Sequence, residues 1–245
     1  MSTTRISLWS GPRNISTALM YSFAQRSDTQ VYDEPLYAHY LCHSDARAYH
    51  PGAEAILDSQ ENDGEKVVTA MLSDASKPVL FFKNMAHHLQ ELDHSFMQEM
   101  VNVLLTRDPR EMLPSFARVV DRPTLDDVGY KILTDLADEL HRRQFPVVVL
   151  EAKAVLLNPE KELRRLCSLA EIPFDPGMLH WPAGPRPEDG VWAKYWYESV
   201  HRSTGFQKYQ PKTEPFPDQL RPLLAECMPY YEQLRSLAKN SESFR

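Results

Sequence analysis

Apolar residues recur along the chain in short runs of strand length, at Ile6 to Trp9, Gln30 to Tyr32, Val79 to Phe82, Asn102 to Leu105 and Val147 to Leu150. Stretches with the three-to-four-residue apolar spacing of helices lie between them. That spacing predicts helices over about Ser16 to Arg26, Ala53 to Leu72, His94 to Met100, Arg110 to Arg118, Thr124 to Arg143, Pro159 to Ala170 and Asp218 to Lys239. Pro159 opening one helix and Pro173 following its end obey the usual start and stop rules. Short, nearly continuous apolar strands alternating with helices predict an α/β fold with a parallel sheet covered on both faces. Val147-Val148-Val149-Leu150 carries no polar alternation and is expected to be a central strand.

Beyond Ile172 the texture changes. Pro173 to Pro187 is rich in Pro and Gly, an aromatic run follows at Trp192 to Tyr197, and the last helix closes the chain. This remainder is too short to form a sizeable core alone. A single domain over residues 1–245 is therefore expected, with a core at about 5–174 and a closing loop and helix at about 175–245.

Composition narrows the function. A chain of 245 residues, 42% hydrophobic, can bury a substantial core. No window approaches the roughly 18 apolar residues of a membrane span. The net charge of −7 disfavours a nucleic-acid surface, because neutralising phosphates takes a basic face. Neither nucleic acid nor membrane is expected as a partner. Cys42, Cys167 and Cys227 are widely spaced, which suggests neither a disulfide framework nor a thiolate zinc site. The histidines lack close-spaced ligand partners, so no metal is expected. A polar Met1-Ser2-Thr3-Thr4 leads directly into a strand, with no export-type apolar segment, and a cytoplasmic location is expected.

The first candidate chemistry lies in Gly11-Pro12-Arg13-Asn14-Ile15-Ser16-Thr17, a tight turn between the first strand and first helix. A helix start presents unpaired N–H groups and a partial positive end, which makes an anion seat. Arg13 adds a planar fork matched to phosphate or sulfate oxygens. Ser16 and Thr17 either cap the helix or donate to the same anion; a plain cap beside a surface arginine is the alternative. The ATP-loop pattern G-x-x-x-x-G-K-[ST] is not met, since both the second Gly and the Lys are missing. A kinase-like phosphotransferase is thereby disfavoured. The same plan recurs at Asn102-Val103-Leu104-Leu105-Thr106-Arg107-Asp108-Pro109-Arg110-Glu111, with Ser115 eight residues beyond Arg107.

These two elements resemble the sulfotransferase superfamily, whose donor is 3′-phosphoadenosine-5′-phosphosulfate (PAPS). That family pairs a P-[RK]-S-G-[ST]-[ST] loop after its first strand with a later R-[DN]-P-R-[DE]-x-x-x-S element. Val147 to Glu151 followed by Asn158 to Cys167 is similar to a further strand-turn-helix of the family. The resemblance implies a three-layer α/β sandwich of the P-loop nucleotide-binding type, with a central parallel sheet flanked by helices. It implies that Gly11, Pro12, Arg13, Asn14, Ile15, Ser16 and Thr17 hold the 5′-phosphosulfate and that Arg107 and Ser115 hold the 3′-phosphate. Two departures stand out. Asn14-Ile15 replaces the family's Ser-Gly, so an ordinary backbone conformation is expected there. Pro114 falls inside the helix carrying Ser115, where it removes a hydrogen bond.

The implied activity is transfer of a sulfuryl group from PAPS to a hydroxyl or amine of a small-molecule acceptor, leaving 3′-phosphoadenosine-5′-phosphate. Charge building on the leaving phosphate calls for fixed cations. Arg13 is one candidate; Lys83, at the end of Val79 to Phe82, is another, unless it is only a strand-end surface charge. Glu34, in Tyr32-Asp33-Glu34-Pro35, resembles a segment whose Glu serves as base in one branch of the family. His87 and His88 are the next candidates, since other branches place a His shortly after the lysine strand and imidazole titrates near neutral pH. A structural ion pair between Glu34 and Arg13 is the plain alternative. Lys194 and Ser203 are further donor-site candidates, in the aromatic and basic stretch Asp189 to Phe206; packing as core is the alternative for Trp196. A binding module of the same fold without turnover is the rival reading. An aminotransferase is set aside, because no segment has a Schiff-base lysine setting. Acceptor identity and oligomeric state, a homodimer included, are left open.

Overall fold

The computed structural model describes residues 3–240. Its elements run β1 (Thr4–Ser10), α1 (Ser16–Phe23), β2 (Thr29–Asp33), α2 (Tyr37–Cys42), α3 (Ala53–Ser59), α4 (Gly64–Ser73), β3 (Val79–Met85), β4 (Val101–Thr106), α5 (Pro109–Phe116), α6 (Leu125–Val128), α7 (Tyr130–Arg142), β5 (Val147–Glu151), α8 (Ala152–Leu157), α9 (Pro159–Leu169), α10 (Ala193–Trp196), α11 (Glu198–His201) and α12 (Arg221–Asn240). The five strands form one parallel sheet in the order β2-β3-β1-β4-β5. Parallel strands need crossovers, and the helices supply them on both sides of the sheet.

The period-two alternation of each strand sorts its side chains between two cores. Ile6, Leu8, Val79, Phe81, Val103, Leu105, Val148 and Leu150 face a layer containing Leu19, Met20 and Phe23 of α1 and Leu163, Leu166 and Cys167 of α9. Trp9, Leu80, Phe82, Leu104 and Val149 face Val67, Val68 and Met71 of α4, Leu133, Leu136 and Leu140 of α7, and Leu234 of α12. The result is the expected three-layer sandwich.

Val147 to Leu150 is an edge strand, not a central one: β5 pairs only with β4. Its apolar character reflects cover on both faces, since Val148 and Leu150 pack in one core and Val149 in the other. Two long helical expectations also break. Ala53 to Leu72 divides into α3 and α4, because the Asp63 carboxylate accepts from the backbone N–H of Glu65 and Lys66 and starts a new helix. Thr124 to Arg143 divides at Gly129, whose left-handed φ of 70° ends α6 and begins α7. His94 to Met100 is a 3₁₀ turn over His94–Glu99, where residues cannot complete α-helical bonding before β4 begins.

Candidate active site

The strand ends Ser10, Asp33, Met85 and Thr106, with Lys83 two residues inside β3, bring four loops to one edge of the sheet, around a cavity of about 410 Å³. Open parallel sheets bind ligands at this carboxyl edge. Gly11 to Thr17, Glu34, Lys83, His87, His88, Arg107, Ser115 and Ser203 all line that one space. Lys194 does not; its ammonium lies over the Tyr195 ring at 4.9 Å, which corrects the expectation that it faces a donor.

At one end, two corners meet. No side chain caps the start of α1, and no acidic residue occupies its first turn, so its N–H groups and positive end face the cavity uncompensated. Arg13 takes a left-handed φ of 52°. Its Nε donates to Ser115 Oγ (3.2 Å) and its Nη1 to the Trp196 carbonyl (3.1 Å). Arg107 Nη1 donates to the Arg13 carbonyl (3.1 Å), while its Nε stands 3.4 Å from Glu111. Pro114 leaves α5 continuous, and Ser115 lines the cavity. The second corner differs from the first in one respect: the Asp108 carboxylate accepts from Arg110 N–H. It therefore offers side chains to a ligand, not bare helix amides.

Burial, then the positive charges of Arg107 and Arg118, hold the Arg13 guanidinium below its ordinary value. Burial, then the same two arginines, depress the Lys212 ammonium. Like charges crowded at a partly buried end are the electrostatic mark of an anion site.

Deeper in, the Lys83 ammonium is 1% exposed. It donates to Asp33 Oδ1 (2.9 Å), to the Tyr197 hydroxyl (2.7 Å) and to Glu34 Oε1. An ammonium has three protons, and all three are committed. This corrects the expectation that Lys83 reaches a leaving phosphate. Burial alone would depress Lys83, but Asp33 and Glu34 outweigh it and raise its pKa. Glu34 is raised by burial, opposed by Lys83 and reinforced by Asp33. Its pairing partner is Lys83, not Arg13. Glu34 also takes a left-handed φ of 46°, held by its N–H donating to the Lys83 carbonyl (2.7 Å) and its carbonyl accepting from Gln60 Nε2 (3.0 Å). Sparsely populated dihedrals held in place by surrounding bonds are a feature of functional sites.

Burial, then His50, push the His87 pKa down to about 3, which makes it a weak base near neutral pH. Burial, then His87 and His50, take His88 well below its ordinary value. Ser203 lines the cavity with its hydroxyl engaged, donating to the Val200 carbonyl (2.7 Å) and accepting from Trp181 Nε1 (3.1 Å).

Residues 4–238 match the family model described as a sulfotransferase domain. The chain belongs to the sulfotransferase-domain family. This sulfotransferase-domain chain is 39% identical over 240 residues to branched-chain-amino-acid aminotransferase-like protein 2, and 41% identical over 238 residues to the corresponding protein 1, both of Arabidopsis thaliana. The matches cover 97% and 96% of this chain but 42% of each relative, so the chain spans about two fifths of the length of the curated relatives it matches. Among solved structures it is similar to the sulfotransferase domain from the curacin biosynthetic pathway, with TM-score 0.57 and 14% identity over 93% of this chain and 98% of that one. It is also similar to a sulfotransferase from Alicyclobacillus acidocaldarius, with TM-score 0.55 and 10% identity over 97% of each chain. These structural likenesses bear on the fold.

Three residues of the sulfotransferase-domain site escaped sequence reasoning. Asp33, one residue before Glu34, carried a signal: a carboxylate at the carboxyl end of a buried strand. Tyr197 carried only its place in the aromatic run, yet its hydroxyl donates to Asp33, accepts from Lys83 and accepts from Trp192 Nε1 (3.1 Å). Lys212 had no local signal.

Proposed function

We propose that this sulfotransferase-domain protein moves a sulfuryl group from PAPS to a hydroxyl or amine of a small-molecule acceptor, with residues 1–245 acting as one unit. The observation that carries this reading is the meeting of the two corners: Arg13 bonds Ser115, and Arg107 bonds the Arg13 carbonyl, in the same cavity that Glu34 lines. A donor with phosphates at both its 3′ and 5′ positions supplies the charge that these corners lack. The sulfuryl group comes from that donor.

The chain's own residues then have distinct tasks. The α1 start, Arg13, Ser16 and Thr17 face one phosphate; Arg107 and Ser115 face the other, with Lys212 adding charge. Arg13 keeps N–H groups beyond the two it has committed, because a guanidinium carries five. Glu34 accepts the acceptor's proton, and its raised pKa strengthens it as a base. Lys83, clamped by Asp33 and Tyr197, fixes the Glu34 carboxylate in place.

The aminotransferase-like names of the relatives find no counterpart in Lys83, the most buried lysine of the cavity. A Schiff-base lysine must lose its proton, whereas Lys83 is held firmly protonated. The rival reading, a nucleotide-binding module without turnover, draws support from the same commitment of Lys83, which withdraws a cation from the transfer.

Calorimetry with 3′-phosphoadenosine-5′-phosphate against AMP tests the donor assignment. A preference of tenfold or more, about 1.4 kcal/mol, is expected for the 3′-phosphorylated nucleotide, and equal binding would remove the roles of Arg107 and Ser115. Turnover of labelled PAPS then separates enzyme from module.

A further inference from the structure

The part of the cavity lined by Tyr37, Tyr40, Tyr49, His50, His87 and His88 has a different character from the arginine part. Ring contacts run without a break along its wall: Tyr37 on His88 at 4.8 Å, His88 on Tyr40 at 4.9 Å, Tyr40 on His87 at 4.7 Å, Tyr40 on His50 at 5.8 Å and His50 on Tyr49 at 5.2 Å. Carboxylates lie at both ends of this wall. Glu34 Oε2 is 3.9 Å from His88 Nε2, and Asp127 accepts from the Tyr49 hydroxyl at 3.2 Å. The cation here, Lys83, has spent all its protons on Asp33, Glu34 and Tyr197. His87 Nδ1 and both ring nitrogens of His88 are buried without a hydrogen-bond partner. Buried polar edges left unsatisfied are costly, and such edges beside a lined cavity point to a ligand that covers them.

We propose that this wall is an acceptor chamber selecting hydroxyl compounds with a flat body and no negative charge, with His50, His87 and His88 as specificity-determining residues. The inference rests on reading the cavity as a sulfotransferase site, and it goes beyond that reading by naming the acceptor's charge class. The histidines are the decisive element. Imidazoles elsewhere would gain protons in mildly acidic solution and attract anions; here burial opposes that protonation at all three, His50 included. The tyrosine faces add negative quadrupole, and Glu34 and Asp127 add formal negative charge. An acceptor carboxylate against this wall would lose its water and meet no free cation there, whereas a neutral phenol sheds no charge hydration and a hydroxylated ammonium compound meets Asp127 and the tyrosine faces in exchange for its own.

Three phenols matched in size test this: tyrosol, which is neutral, tyramine, a cation, and 4-hydroxyphenylacetate, an anion. Binding to the full chain is measured by ligand-observed NMR and calorimetry, without turnover and in buffer holding excess inorganic phosphate to occupy the arginines. Tyrosol and tyramine are expected to bind at least tenfold more tightly than 4-hydroxyphenylacetate. In Asp127→Asn that gap should narrow by threefold or more. Binding of the anion as tight as that of the neutral phenol, or no binding of any of the three at millimolar concentration, would overturn the proposal. The donor reading fails separately, through loss of the preference for 3′-phosphoadenosine-5′-phosphate over AMP, a measurement that reads the arginines and not this wall.

Discussion

Replacing Lys83 by methionine would keep most of the side-chain volume while leaving Asp33 and Glu34 buried together without their cation. Asp33 is 8% exposed and Glu34 6%, so neither carboxylate can recover its hydration. Breaking a buried ion pair from one side costs about 3–5 kcal/mol. For a chain of this length that corresponds to roughly 6–20 °C in Tm. The sign of the pH dependence follows from Glu34. Its folded pKa is already raised by burial and by Asp33, against the opposing pull of Lys83, and removing Lys83 raises it further. A carboxyl raised in the folded state binds a proton there that the unfolded chain has released. Its contribution to stability is complete below the ordinary glutamate range and is lost as pH climbs through the folded pKa, at about 1.4 kcal/mol per pH unit. The Tm deficit of Lys83→Met relative to wild type should therefore be small near pH 5 and largest near pH 8. Circular dichroism melts of both proteins across that interval measure it. A deficit that stays constant with pH would show that Lys83 does not compensate these carboxylates, and the clamp on Glu34 would have to be abandoned.

Four shorter predictions follow from the same geometry. Arg107→Ala should weaken 3′-phosphoadenosine-5′-phosphate about 10- to 100-fold, the worth of a charge-assisted bond, and weaken AMP less; calorimetry on both nucleotides reads the difference. Glu34→Gln should cut turnover with labelled PAPS by about 10²- to 10⁴-fold while leaving nucleotide affinity near wild type, and the reverse pattern would exchange the roles of the two ends. Tyr197→Phe strips a donor from Asp33 and an acceptor from Trp192 Nε1, and urea titration should show a loss of about 1–3 kcal/mol. Gly11→Ala places a Cβ 2.6 Å from the Val128 carbonyl oxygen, so a loss of about 1–3 kcal/mol is expected in the same titration, because backbone must move to admit it.

The α/β alternation and the two corners were legible because they are local: a strand, a turn and a helix within about fifteen residues leave their period in the sequence. The edge position of β5 was not legible. A missing polar alternation reports that both faces are covered, and α9 and α12 cover an edge strand as completely as neighbours cover a central one. Glu34 and Lys83 could each be found, but not their union with Tyr197, whose hydroxyl comes from 164 residues beyond Asp33. The surroundings of the histidines were not legible for a related reason. Their residue type announces a titration near neutral pH, and only the packing of Tyr37 and Tyr40 against His88 reveals the burial that lowers its pKa.

The loop departure Asn14-Ile15 has a physical resolution that bears on how the site works. The strained position is Arg13, at φ 52°, while Ile15 stays in an ordinary region at φ −96°. A left-handed non-glycine residue costs of order 1–3 kcal/mol, and neighbours offset it: Arg107 holds the Arg13 carbonyl, Asn14 Nδ2 donates to the Leu105 carbonyl (3.0 Å), and Asn14 Oδ1 accepts from Ile15 N–H (3.0 Å). The Asn14 amide thus ties the first corner to the last turn of β4, a bond that glycine at this loop could not make. Arg107 in turn acts twice, as a cation at the basic end and as the brace for the backbone of Arg13. Removing Arg107 therefore loosens the first corner as well as the second. Arg13→Ala and Arg107→Ala should consequently be non-additive in nucleotide binding, the double variant losing less than the sum of the two; strict additivity would mean that the corners act as independent contacts and that the bond between them carries no weight.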